Sequence, residues 1–478
     1  MTSDIPPRLS SAARRLRTLP SAVRACASLA ALGLALTAAP ARLAADDATS
    51  PPNIVLIISD DQSWTDYGFM GHEHIETPRL DQLAAESLTY THGYVPSSLC
   101  RPSLITIATG LFPWQHGVTS NDPALPESRG NFRQAWDDPE FRAAWFESRR
   151  MIQLLPSVPR RLHEELDYAS HQSGKWWEGH HVHGGFTHGM THGDTPRGGR
   201  HGDVGLTIGR QGMEPVAEFL DEVEDRPFLI WYAPFLPHTP HNPPQRLLDK
   251  YLQRTDSEPV ARYWAMCEWF DETCGELLDL LTERGLDDNT LVIFVCDNGW
   301  LQNPDQVNRS LDTSKRWPHD LGVRTPIMLR WPGAIEPEVV TVPVSSVDIA
   351  PTILEVCGLE PGAELPGINL LDRDAVQARS AIYGDVHDHN FNPRPFDPAA
   401  TVVYRWVIEN GWKLIVPEKD NIQPGDEFAG SLEEGIELYH LAEDPFEQHN
   451  LAEQEPDRAQ RLGDKLDRWW RPQRRAQE

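Results

Sequence analysis

The chain has 478 residues, 40% hydrophobic and 24% charged, which excludes wholesale disorder and collagen-like repeats and leaves room for a large domain plus a smaller one. Lys and Arg number 43 against 71 Asp and Glu, a formal net charge of −28. Such a surface repels polyanions, so general binding of nucleic acid or anionic membrane is excluded, although a small anionic substrate can be held by a few cations gathered in one pocket.

Arg8, Arg14, Arg15, Arg17 and Arg24 precede an apolar stretch from Ala25 to Ala39, followed by Ala39-Pro40-Ala41. This is the layout of a secretory signal peptide over residues 1–41. The stretch is too short and too rich in Ala for a good membrane span. The expectation is an exported protein, periplasmic or secreted, with no membrane span in its mature chain. Cys26 leaves with the signal, and Cys100, Cys267, Cys274, Cys296 and Cys357 remain, an odd set unlike a disulfide scaffold. Cys267 and Cys274 are separated by about 10 Å of helical rise and cannot pair.

Asn53 to Ser59 (NIVLIIS) is a continuous apolar run of the kind that forms a strand covered on both faces. Thr77-Pro78 reads as a helix cap and first helical residue, with Leu80, Leu83, Ala84 and Leu88 at helical spacing. Pro102 suits the first turn of a helix that Gly110 ends, which sets Cys100 near a helix N-terminus. There the backbone dipole favours negative charge and activates a nucleophile. Gly179 to Gly202 reads as a long loop rich in Gly and His. Pro227 to Ala233, Leu291 to Val295 and Pro326 to Trp331 read as further strands, and Pro259 to Arg284 as a long amphipathic helix closed by Gly285. Asp271 falls on the apolar stripe of that helix and reads as a structural capping carboxylate.

This alternation predicts an α/β fold over residues 50–371, a large, mostly parallel or mixed sheet sandwiched by helices. After Leu371 short strands follow without intervening helices, at Ala381 to Val386, Val402 to Ile408, Trp412 to Val416 and Ile436 to Tyr439, before a helix near Pro456 to Trp470. Residues 372–478 are therefore expected to form a small α+β domain with an antiparallel sheet.

Two acidic pairs follow two of the buried strands, Asp60-Asp61 after Ser59 and Asp297-Asn298 after Cys296. Ligands of open α/β sheets gather at the carboxyl ends of strands. Both members of a pair can converge only where the strand has ended, because side chains on a regular strand alternate between faces. Three carboxylates and an amide oxygen form a hard, all-oxygen set suited to Ca²⁺ or Mg²⁺. One acidic pair alone would read as a turn cap, but two in the same context favour a metal site.

Seven segments in order carry a family resemblance: PNIVLIISDD, the Cys-x-Pro-Ser of SSLCRPSL with TGLFPWQHG, SGKWWEG, PHTPH, VCDNG, KRWPHDLGVRTP and ELYHLAEDPFEQHNLAE. Together they resemble the type I sulfatases, the formylglycine-dependent, arylsulfatase-like enzymes of the alkaline phosphatase superfamily, over nearly all of the mature chain. The resemblance implies that Asp60, Asp61, Asp297 and Asn298 ligate a divalent metal, usually Ca²⁺. It implies that a maturation enzyme oxidises Cys100 to formylglycine, whose hydrate attacks sulfur. It also implies that Lys175 and Lys315 grip sulfate oxygens and that His238 faces the scissile oxygen. The implied activity is hydrolysis of a sulfuric ester, on a sulfated carbohydrate or an aryl sulfate.

The chain departs from the family pattern twice. Leu104 stands where the motif usually ends in Arg, and Trp177 where the family usually has the His of Lys-Trp-His. Eight histidines lie between His163 and His201, among them His180, His181 and His183, and one of them is expected to enter the site in place of the lost base. Trp176, Trp177, Trp300 and Trp317 lie beside site motifs and suit stacking on sugars or arenes, although packing is the commoner role of such residues. Two other readings compete: a phosphodiester or phosphonate monoester hydrolase of the same superfamily, and a non-catalytic binder of sulfated ligands.

Overall fold

Asn53–Ser59 forms a strand over its whole length, and its side chains divide between two cores. Ile54, Leu56 and Ile58 enter one, Val55 and Ile57 the other, on the opposite face of the sheet. Strand Phe228–Ala233 and strand Thr290–Cys296 divide in the same way, with Trp231 and Ile293 in the first core and Ile230 and Phe294 in the second. A strand buried on both faces has no place for the polar half of an alternating pattern, which is why these three read as unbroken apolar runs.

The computed structural model describes residues 51–126, 131–193, 199–391, 397–422, 428 and 435–472. The predicted signal peptide lies outside these. Among the described residues no helix is long and apolar enough to cross a membrane.

The three strands run parallel at the centre of a nine-stranded sheet, with Leu56 opposite both Trp231 and Ile293. Beyond Phe228–Ala233 the sheet continues through Ala169–Gly174 to the short His188–Gly189. Beyond Thr290–Cys296 it continues through Arg324–Arg330 and Leu88–Tyr94 to Val344–Ser345, with Glu338–Val340 also paired to Leu88–Tyr94. Arg324–Arg330 is antiparallel to both neighbours, and every other pair in the sheet is parallel. The sheet is therefore mixed and mostly parallel, as the sequence predicts.

Helices Pro78–Ala85, Cys100–Thr109 and Glu258–Glu283 form where the patterns place them, except that the first ends before Leu88, which instead begins strand Leu88–Tyr94. Thr77 does not cap the first of these. Its hydroxyl donates to Asp81 and accepts from the Gly68 amide. Asp271 on the long helix acts instead, accepting from the amides of Arg79 at 3.1 Å and Leu80 at 2.7 Å. The carboxylate on an apolar stripe is thus a cap delivered from another helix. Strand Ala169–Gly174 (ASHQSG) escapes sequence reading because its buried side chains are mostly polar. Hydrogen bonds cover them: Ser173 donates to the Trp231 carbonyl, and Gln172 accepts from the Thr191 amide.

The C-terminal strands Ile382–His387, Val402–Glu409, Trp412–Pro417 and Glu437–His440 form a four-stranded antiparallel sheet in that order. On one face Leu462 and Leu466 of helix Pro456–Trp469 pack against Leu414 and Leu438. On the other, Tyr404 and Trp406 join the core that contains Tyr94 and Leu104. All five described cysteines are free and buried.

Candidate active site

The site grows from the carboxyl ends of two neighbouring strands. Strand Asn53–Ser59 ends at Asp60, and Asp61 turns the chain with φ 64°, a left-handed conformation uncommon outside Gly, Asn and Asp. The Asp297 amide donates to the Ser59 carbonyl at 2.9 Å, and the Asp61 amide donates to Asp297 Oδ1 at 3.3 Å. The two acidic pairs are thereby pinned together. Asn298 Nδ2 donates to Asp61 Oδ1 at 2.7 Å. Gly299 is required here because a Cβ at that position would lie 1.9 Å from the Leu321 carbonyl oxygen.

Lys175 enters from the end of strand Ala169–Gly174. Gly174 has φ +84°, and a Cβ on it would meet the Ala233 carbonyl at 1.9 Å, so only Gly lets the chain turn Lys175 inward. Lys175 Nζ lies 2.5 Å from Asp60 Oδ1 and 3.2 Å from Asp297 Oδ2. Lys315 Nζ lies 2.7 Å from Asp61 Oδ2 and 3.5 Å from His238 Nε2. His238 Nδ1 is 2.7 Å from the Thr239 carbonyl, which can only accept, so Nδ1 carries the proton and Nε2 faces Lys315 and Asp61. Cys100 is the first residue of its helix, and the ligand atoms of Asp60, Asp61, Cys100 and His238 all lie within 4.8 Å of one another. The structure thus brings together all eight residues singled out in the sequence.

Burial dominates the electrostatics. It raises Asp60 well above the usual carboxylate range, and neighbouring Asp297 raises it further against the pull of Lys175. Burial also raises Asp297, opposed by Lys175. Burial would lower Lys175, but Asp297 and Asp60 outweigh it and hold the ammonium firmly charged. His238 is pushed well below the usual imidazole range by burial and then by the two lysines. Burial pushes the Cys100 thiol up to about 11, against the pull of Lys175 and Lys315. Desolvation thus outweighs the two lysines, and the unmodified thiol stays protonated and weakly nucleophilic, where the sequence led us to expect an activated one.

Asp60 Oδ2 and Asn298 Oδ1 are buried with no hydrogen-bond partner. Three carboxylates face two ammonium groups, which leaves negative charge over. Unsatisfied hard oxygens beside excess negative charge fit a divalent cation of the Ca²⁺ or Mg²⁺ type.

The two departures have different surroundings. Leu104 is buried in the large apolar core, where an Arg would need a partner. Trp177 is buried, with its ring 5.2 Å from that of His201 and the Arg200 guanidinium 5.3 Å away. His180, His181 and His183 bond elsewhere. His180 lies 4.3 Å from His181 and 5.4 Å from His192, while His181 bonds the Thr191 carbonyl and His183 the Glu178 carbonyl. His201 is the histidine beside the site, its ring 5.0 Å from Phe235, which itself lies 4.2 Å from His238. Trp176 packs on Phe186 and Trp231, and Trp317 on Tyr404 and Phe428. Trp300 carries Lys315 Nζ 5.7 Å from its ring centre.

Sequence reasoning missed one pair. Arg101, next to Cys100, is buried and grips Glu178 with Nε 2.5 Å and a terminal nitrogen 2.8 Å from the two carboxylate oxygens. Its amide donates to Asn121 Oδ1 at 3.0 Å, fixing the start of the helix that presents residue 100.

A mixed, mostly parallel sheet with a buried acidic and lysine cluster at its strand ends is the architecture of an alkaline phosphatase superfamily hydrolase. Residues 52–359 match the family model for sulfatases, and residues 312–470 match the model for N-sulphoglucosamine sulphohydrolase, C-terminal. The chain belongs to the sulfatase family, as a type I sulfatase. It is similar to human N-acetylgalactosamine-6-sulfatase, 27% identical over 467 residues that cover 86% of this chain and 83% of that protein. It is also similar to human arylsulfatase A, 28% identical over 377 residues that cover 67% of this chain and 66% of that protein. Its fold is shared by BT4656, solved in complex with its substrate D-glucosamine-2-N,6-O-disulfate. The TM-score is 0.63 at 18% identity, covering 88% of this chain and 97% of that one.

Proposed function

We propose that this sulfatase removes sulfate from a sulfated carbohydrate or aryl sulfate, with formylglycine made from Cys100 as nucleophile and Ca²⁺, or Mg²⁺, held by Asp60, Asp61, Asp297 and Asn298. The supporting observation is the convergence of Lys175, Lys315, His238 and Cys100 on one acidic cluster whose Asp60 Oδ2 and Asn298 Oδ1 lack partners. A cation there would supply neutralising charge for the sulfuryl oxygens. Formylglycine would supply an oxygen nucleophile that, unlike a thiol, can release sulfate by returning to the aldehyde.

The remaining steps belong to the chain's own side chains. Lys175 and Lys315 are charged donors that neutralise the sulfate oxygens and hold the ester in place. With the His238 proton on Nδ1 and committed to the Thr239 carbonyl, Nε2 starts without one, so the proton for the leaving alcohol comes from the Lys315 ammonium 3.5 Å away and is passed on through Nε2. Bidentate pairing of Arg101 with Glu178 holds residue 100 in position. With Leu104 in the apolar core, the maturation enzyme would have to read the Cys100 segment without an Arg at that position. Export is inferred from residues 1–41 alone. A carbohydrate substrate is favoured by the names of the relatives and by the sulfated sugar bound to BT4656.

The test is mass spectrometry of the peptide spanning Cys100 from the native source, paired with rates on matched aryl sulfate and aryl phosphate. Formylglycine and faster sulfate release are expected. A thiol throughout sinks the nucleophile, a preference for phosphate moves the chain to the phosphoester reading, and turnover of neither leaves a binder.

A further inference from the structure

Of the eight histidines between His163 and His201, one has a placement that demands explanation. The Nδ1 atom of His201 is buried and has no hydrogen-bond partner, which is rare for a polar atom in a folded chain. Its backbone carbonyl accepts from the Trp176 amide at 3.0 Å, tying it to the segment that delivers Lys175. Its ring is wedged between Trp177 at 5.2 Å and Phe235 at 5.0 Å, and Phe235 lies 4.2 Å from His238 and 5.9 Å from Lys175 Nζ. Nothing in the roles given above uses this imidazole.

We propose that His201 is the base of this site, taking the proton from the residue-100 hydroxyl as sulfate is expelled. The inference rests on the function proposed above and assigns a group to its last step. There the O–H bond breaks and its electron pair becomes the second bond of the carbonyl. The carbon–oxygen bond to sulfate breaks, and that pair leaves with sulfate. The proton passes from His201 to water, and another water adds to the aldehyde.

A base must begin neutral, and His201 does. Burial, then Arg200 and Lys175, with a smaller push from Lys315, lower it to about 3 against the pull of Asp122. These are the charged groups around the ring, with His238 across Phe235. A value so low would make a poor base if it were fixed, but the negative charge of the sulfate ester between Lys175 and Lys315 offsets part of the positive field that lowers it. The proton affinity of His201 thus rises when the sulfated form is present and falls when sulfate leaves. Trp177 occupies the place of the family histidine in sequence, and its ring becomes one wall of the slot that holds His201.

Two measurements test this. The first follows a radiolabelled aryl sulfate on the matured enzyme in wild type, His201→Gln and His201→Ala, with His192→Ala as a control at an exposed position. Wild type and control are expected to release alcohol steadily and to retain no label after acid quench. The His201 variants are expected to release one equivalent of alcohol rapidly, turn over about 100-fold more slowly or worse, keep the label on the chain, and recover with added imidazole. The second needs no variant: the His201 ring signals of the unmodified chain, followed by NMR, are expected to titrate at higher pH when inorganic sulfate is added. His201 variants that turn over like wild type overturn the inference, as does equal loss of first and later turnovers without retained label. A His201 titration that ignores sulfate also overturns it. A wild-type enzyme that never releases alcohol overturns the proposed function itself, and this inference with it.

Discussion

Two of the clusters of buried charge among the described residues are built differently. Where the small sheet meets the large one, Lys413 Nζ lies 2.8 Å from Asp320 Oδ1 and 2.7 Å from Glu447 Oε1. Tyr94 donates its hydroxyl to Asp320 Oδ2 at 3.1 Å, and the Asp320 amide donates to Glu447 Oε2 at 2.5 Å. Every carboxylate oxygen of that cluster has an N–H or O–H group or the Lys413 ammonium within 3.1 Å, although the contact of Lys413 with Glu447 Oε1 is an ion pair without hydrogen-bond geometry. At the strand ends, three carboxylates and two ammonium groups leave Asp60 Oδ2 and Asn298 Oδ1 unsatisfied. A closed cluster fixes the packing of two sheets, whereas an open one is arranged for a partner that comes from outside the chain.

The sharpest way to break this comparison is to remove one lysine from each cluster. Lys413→Met leaves Asp320 and Glu447 buried without their shared cation and should cost about 3–5 kcal/mol in denaturant unfolding. Lys315→Met, with Ca²⁺ present, should change stability much less but lower kcat/KM on a sulfate ester by about 10²–10³-fold. If Lys315→Met unfolds the chain while Lys413→Met leaves it stable, the two clusters have been assigned the wrong way round.

A cation should also distinguish them. A ligand that binds only the folded state at 100 times its Kd stabilises it by about 2.7 kcal/mol. Thermal unfolding with Ca²⁺ against chelator should show a gain of that order in wild type and in Lys413→Met, and little in Asp297→Asn. An equal gain in Asp297→Asn would place the cation elsewhere.

The same contrast explains what the sequence reveals. Strands buried on both faces announce themselves as apolar runs, so the central three and the acidic pairs that end two of them are legible from periodicity alone. Lys175, Lys315 and His238 are not: each would pass as a surface lysine or a turn histidine without the ordered family segments around it. The Arg101–Glu178 pair spans 77 residues, and no local pattern encodes a contact of that length. His201 could not be told from its seven neighbours because the path of a Gly-rich loop follows from tertiary packing, which also hid the polar strand Ala169–Gly174.

A third buried carboxylate sharpens the comparison with a smaller effect. Asp271 has two backbone donors and no cation, and burial pushes it up to about 7 even though the amides of Leu80 and Arg79 pull it down. Its unfolded value is near 3.9, so between about pH 4 and pH 7 the folded state binds the extra proton. Stability from this group is full below the lower value and is lost as pH rises through the upper one. From pH 5 to pH 7 the loss should be about 2 kcal/mol. Asp271→Asn keeps an acceptor for the Leu80 amide but turns its NH₂ against the Arg79 amide, so it should be less stable than wild type at pH 5. Because it cannot titrate, the gap should narrow toward pH 7, as read from denaturant unfolding of both proteins across that range. A gap that stays constant would mean that Asp271 is ionised throughout, and that two amide donors can do for a buried carboxylate what the strand-end cluster needs lysines to do.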